Sequence, residues 1–137
     1  MKLSQHFIIS TIAAFVSYPF LGISSVFVFI GGFLVDVDHV LDYYIRYRKL
    51  DLGATYEHYM RENVTPNLNE YKAALRVFHT VEFIGVIAIL SFFNEAFLAL
   101  FIGLILHFIM DIRNEMKLFK ELHNYSLIKR LVKQKAL

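Results

Sequence analysis

Two long apolar stretches dominate the chain. The first runs from Phe7 to Val35 without a charged residue, interrupted only by Tyr18-Pro19 and Gly22. The second runs from Val81 to Met110 and is interrupted at Asn94-Glu95. A membrane-spanning helix needs about 20 apolar residues. The second stretch predicts a helix from about Glu70 to Phe93 and another from about Glu95 to Lys117, with Asn94-Glu95 as the turn. The first fits one long helix kinked at Pro19, or two shorter helices folded back between Pro19 and Gly22.

The cations decide between these. All 14 lysines and arginines are Lys2, lie between Arg46 and Arg76, or follow from Arg113 onward. The segments Tyr18–Gly22 and Phe92–Glu95 carry none. If both stretches are hairpins, every positive charge falls on one side, as cytoplasmic segments require. A single crossing by the first stretch would put Lys2 and Arg46–Arg76 on opposite sides. The expected fold is therefore all-α: an integral membrane helical bundle of about four transmembrane or membrane-embedded helices in two hairpins. It forms a single domain over residues 1–137, multi-pass in the inner or plasma membrane, with both termini cytoplasmic. Lys2 alone makes a poor signal-peptide n-region, and Tyr18-Pro19 stands where a cleavage site would be sought, so cleavage is not expected.

Two polar segments complete the pattern. Residues 40–75 interleave Tyr43, Tyr44, Tyr47, Tyr56, Tyr59 and Tyr71 with Arg46, Arg48, Lys49, Arg61 and Lys72. Such rings and cations suit the headgroup layer, and Gly53 and Pro66 would divide the insertion into two short interfacial helices. The alternative is a solvated loop with aromatic contacts. In the tail, residues 113–137, Leu118, Leu122, Tyr125, Ile128 and Leu131 recur along one side of a basic helix that would bind anionic lipid or cover the bundle end.

Composition narrows the chemistry. The chain is 57% hydrophobic with a mean hydropathy of +0.50, high for a soluble domain of its 137 residues. There is no cysteine, which excludes disulfides, thiolate zinc sites and cysteine nucleophiles. Any metal must be held by nitrogen and oxygen. A net charge of +2 gives no sign of a nucleic-acid partner.

Against that background the histidines stand out. His6 opens the first apolar stretch, His39 follows its end, His79 precedes the second and His107 lies near that one's end. In the two-hairpin topology these four share one end of the bundle. Asp36 and Asp38 accompany His39, Glu82 follows His79 by three, and Asp111 follows His107 by four. Residues three or four apart share a helix face, so each pair can converge on one ion. Ionisable groups at a membrane helix end call for an explanation, and a divalent-metal site supplies one. Candidate ligands are His6, Asp36, Asp38, His39, His79, His107 and Asp111, for zinc first, or manganese or iron. Glu82 or Asp38 would take a proton from bound water, and Arg76 would stabilise a developing anion. His58 and His123 lie in polar segments and read as surface residues. Gly85 and Gly103 would permit close helix contacts.

Asp36-Val-Asp38-His39, Phe78-His79-Thr80-Val81-Glu82 and Gly103-Leu-Ile-Leu-His107-Phe-Ile-Met-Asp111 together resemble the predicted membrane-bound metal-dependent hydrolases. That family carries, in this order, an early histidine, an Asp-x-Asp-His block, a His-Ser or Thr-His-Ser block and a His-x-x-x-Asp block. The resemblance covers roughly residues 6 to 114. Val35 stands where proline is usual, and Arg76 only echoes an arginine-glycine lead into the third block. The resemblance implies metal ligation and hydrolysis, with a phosphoester or phosphorylated membrane lipid as the substrate expected from the site's location. Two rival classes are a non-catalytic metal- or ion-binding membrane protein and a haem-binding four-helix protein. The carboxylate beside each histidine favours a hard divalent cation over haem.

Overall fold

A computed structural model describes residues 3–65, 67, 74, 76–120 and 125–128. Among the described residues every regular element is helical: α1 is Leu3–Leu21, α2 Val26–Phe33, α3 Val37–Tyr47, α4 Leu52–Val64, α5 Val81–Leu90 and α6 Glu95–Phe119. Short 3-10 turns occupy Gly22–Ser25, Leu34–Asp36 and Val77–His79.

The helical runs Leu3–Tyr47 and Glu95–Phe119 are each long and apolar enough to cross a membrane. The first is not one rod. Gly22 has φ +51, a left-handed conformation that costs glycine nothing, and the turn after it sends α2 back along α1. The first stretch is thus a hairpin whose reversal falls at Gly22. Pro19 stays inside α1. It sits in the last turn, where a missing N–H costs one hydrogen bond of a helix that is already ending.

Glycine also fixes how the hairpins meet. α2 packs along α6 so closely that a Cβ on Gly103 would collide with the Val28 carbonyl oxygen, and one on Gly31 with the Leu100 carbonyl oxygen. A Cβ on Gly32 would strike the Ser10 hydroxyl of α1. Gly103 therefore has the close-packing role expected of it. Gly85 makes no such approach within the chain: a Cβ there would meet nothing within 4 Å. Val35, Ile87 and Leu104 form a small buried cluster, flanked by Phe78, Phe83, Leu100 and Phe101. Large apolar side chains elsewhere point outward, Phe15 being 76% exposed, Phe20 84% and Phe92 87%.

The second hairpin departs from expectation at its start. Among the described residues its first helix begins at Val81, and Glu70 lies outside them. Thr80 is extended, at φ −98 and ψ 148, and its hydroxyl accepts from the Phe83 amide as the N-cap. The ten residues of α5 rise about 15 Å, half the thickness of a hydrocarbon core. The turn to α6 is as expected, with Asn94 Oδ1 accepting from the Ala96 amide at 2.8 Å.

In the polar insertion the break comes earlier than Gly53. Arg48 ends α3 at φ 55, and Asp51 caps α4, accepting from the Ala54 amide at 2.9 Å. Gly53 lies within α4. Pro66, Tyr71 and Lys72 are outside the described residues. α4 is tied to α3 through Asp42, whose Oδ2 accepts from the Tyr59 hydroxyl at 2.8 Å and lies 2.8 Å from Arg46 Nε. His58 is not a free surface residue: its ring meets those of Tyr43, Tyr47 and Tyr59 edge-on.

α6 stops at Lys120, in the left-handed region at φ 58. Residues 125–128 fold over the start of α5, where the Val81 amide donates to the Tyr125 carbonyl at 2.9 Å. Leu122, His123 and Leu131 of the expected amphipathic tail lie outside the described residues.

Candidate metal centre

His107 and Asp111 come from consecutive turns of α6, with Nε2 and Oδ2 3.3 Å apart. The Val77–His79 turn swings His79 inward, so that its Nε2 stands 2.9 Å from His107 Nε2 and 3.3 Å from Asp111 Oδ2. The Leu34–Asp36 turn adds Asp36 Oδ1, 3.5 Å from His79 Nε2 and 3.4 Å from His107 Nε2. Donors about 2.1 Å from one ion lie roughly 3.0 Å apart at right angles and roughly 3.4 Å apart at the tetrahedral angle. These five separations are in the range of donors around one ion, and Asp36, His79 and His107 form a group that could hold one.

The outer nitrogens of the two rings settle which atoms face inward. His107 Nδ1 lies 2.9 Å from the Gly32 carbonyl oxygen, an acceptor only, so Nδ1 carries the hydrogen. His79 Nδ1 lies 2.9 Å from Asp38 Oδ2 and donates to it in the same way. Both Nε2 lone pairs then face each other at 2.9 Å. Such a pair needs a cation between, whether a proton or a metal. Oxygens of Asp36, Asp38 and Asp111 surround the His79 ring. The cluster is built to attract positive charge.

His6 and His39 extend it on either side. His6 Nε2 lies 3.3 Å from Asp111 Oδ1, and its ring stacks on His107 at 4.2 Å. His6 Nδ1 is buried with no protein hydrogen-bond partner. His39 Nε2 lies 3.3 Å from Asp36 Oδ1, with its ring stacked on Tyr59 at 4.4 Å. Three overlapping groups can each hold an ion: His6, His107 and Asp111; Asp36, His79 and His107; Asp38, His39 and His79. All seven sequence-predicted ligands are in them.

The residues expected to do catalytic work fare differently. Glu82 is in none of these groups. Its carboxylate accepts from Ser126 Oγ at 2.5 Å, the Leu127 amide at 3.1 Å and the Ile128 amide at 3.2 Å, so it anchors the chain after α6. Asp38 is buried, and its Oδ2 also accepts from the Phe78 amide at 3.2 Å; it orients His79. Arg76 lies over the Tyr59 ring at 5.9 Å and lines a cavity of about 480 Å³ together with His6, Asp36, His39 and Asp111.

One support was not readable in the sequence: Tyr59 of α4 stacks on His39 and is itself held by Asp42 of α3, a contact between elements that no local spacing announces. Glu115, one turn beyond Asp111 on α6, is also buried, at 1% exposure. No protein-family model, no curated protein and no solved structure matches the chain.

Proposed function

We propose that this chain is a membrane-embedded, metal-dependent hydrolase working at the cytoplasmic side of the inner or plasma membrane. The observation that carries the reading is the shell of four donors, Asp36, His79, His107 and Asp111, with both imidazole lone pairs turned inward. The donor set suits zinc, and also manganese or iron. The order of the sequence blocks, which resembles the membrane-bound metal-dependent hydrolases, agrees with it.

A bound ion there would polarise a phosphoryl or acyl oxygen and bring the pKa of a bound water towards neutrality. The protein's own groups do the rest. Asp38 and the Gly32 carbonyl hold the outer ring protons of His79 and His107, which fixes tautomer and orientation. His39, with its side chain 21% exposed, faces the cavity and takes a proton from the attacking water. Arg76, on the same cavity, offsets negative charge on the substrate. A phosphoester or phosphorylated lipid fits that balance.

The membrane placement rests on the two long apolar runs and on the side chains they expose. Both hairpin turns, at Gly22 and at Phe92–Asn94, stand at the end away from the cluster without a lysine or arginine. Among the described residues the cations gather at the cluster's end, which the positive-inside rule makes cytoplasmic.

A non-catalytic metal clip is the second reading, favoured by burial of His79 and His107 to 4% and 2% exposure. The cavity's access to Asp36 and Asp111 favours hydrolysis. A haem between His79 and His107 is disfavoured, because two axial ligands must stand on opposite faces of the macrocycle and these nitrogens are 2.9 Å apart.

The test is hydrolysis of bis-p-nitrophenyl phosphate by detergent-purified protein before and after chelation. Turnover that is lost with chelator and restored by zinc or manganese supports the enzyme. Bound metal with no turnover on phosphoester or carboxyl-ester panels would leave the clip.

A further inference from the structure

The cavity beside the cluster is lined by two kinds of group. His6, Asp36, His39, Asp111 and Arg76 are the ionisable ones. The rest of the wall is largely apolar, and its rim is exposed: Leu3 by 40%, Leu34 by 49%, Val37 by 49% and Leu52 by 68%. Water at such a rim would hydrate apolar surface at a cost that lipid does not impose. A substrate arriving from solution has no use for it.

Depth points the same way. At roughly 1.5 Å per residue, α1 rises about 22 Å from His6 to Leu21, and α6 about 18 Å from Glu95 to His107. The hydrocarbon core is about 30 Å thick, so with the hairpin turns at the far face the cluster lies about 10 Å inside the near one. Exposed apolar side chains continue past the cluster along α3, at Val37, Leu41 and Ile45, before Arg48 and Lys49 mark the boundary. The rim of the cavity is level with lipid chains.

From this we infer that the cavity opens sideways into the bilayer and binds a lipid of the surrounding leaflet. The lipid's anionic phosphate head lies against Arg76 and the cluster, and its apolar chain leaves past Leu34, Val37 and Leu52. The inference rests on the metal-hydrolase reading for the ion that would draw the phosphate inward. The charge pattern is complementary: a guanidinium and a cation-holding cluster at one pole, hydrocarbon at the other.

The chain contains no tryptophan, so single tryptophans report depth cleanly. Val37→Trp and Leu52→Trp, in vesicles of acyl-brominated phosphatidylcholine, are compared with two references. Phe15→Trp replaces a side chain 76% exposed on α1, and Leu50→Trp one 77% exposed between α3 and α4. Quenching at the level of Phe15→Trp is expected; quenching at the level of Leu50→Trp would overturn the lateral opening. No quenching even of Phe15→Trp would remove the membrane reading, and this inference with it.

A binding arm separates the lipid from free phosphate. In nanodiscs, with metal content checked on the same sample, dodecyl phosphate is expected to bind at least about ten-fold more tightly than inorganic phosphate. Burial of only two methylene groups supplies that factor. Leu52→Asp should abolish the difference and leave metal content unchanged. Equal affinities in the unaltered protein would overturn the inference while the metal centre stands. Absent metal would instead strike the reading beneath it.

Discussion

Asp38 shows how much at this site depends on a single hydrogen bond. Its spacing two residues after Asp36 reads as a second ligand, a base or a group that orients a ligand, and its contacts make it the group that holds the outer proton of His79. Asp38→Asn keeps the shape but can present an N–H to the ring, favouring the wrong tautomer. The expected result is metal affinity weakened about 10–100-fold, measured by competition with a chromophoric chelator, and unchanged affinity would remove the positioning role.

At the scale of elements, the clustered residues were legible because imidazoles and carboxylates at helical spacing end long apolar runs. His107 and Asp111 needed only the period of an α-helix. What periodicity could not supply was the distance between helices, set by Gly31, Gly32 and Gly103 pressing α2 onto α6 and α1. That approach brings the Gly32 carbonyl to His107. Gly103→Ala should force the backbones apart at a cost of about 1–3 kcal/mol, seen as a lower unfolding midpoint, and should lower metal occupancy. Gly85→Ala, with open space around it, should do neither. Glu82 misled for a physical reason: a carboxylate three residues after a histidine shares its face only if both are helical. Here His79 is in a 3-10 turn, Thr80 is extended, and the helix begins after them. Glu82→Gln should therefore leave metal content unchanged and loosen the segment 125–128, visible as faster hydrogen exchange at the Leu127 and Ile128 amides.

The whole molecule was legible in outline. Apolar runs made the helical class legible, and the hairpin expected from putting Lys2 and Arg46 on one side agrees with the fold-back at Gly22. The exact reversal at Gly22 and the shortness of α5 depended on local capping that hydropathy does not weigh. The same charge pattern predicts topology. With no native cysteine, Phe92→Cys and Leu50→Cys should label from opposite faces of a sealed vesicle with a membrane-impermeant maleimide, and labelling from the same face would contradict two full hairpins.

The cation site proposed between α6, the Val77–His79 turn and the Leu34–Asp36 turn is tested by metal content from plasma mass spectrometry, comparing the unaltered protein with a His107→Ala, Asp111→Ala double variant. Near-stoichiometric zinc, manganese or iron is expected in the first and its loss in the second. No metal in either, even after reconstitution, would contradict it and reduce the cluster to histidines and carboxylates sharing protons at a helix end.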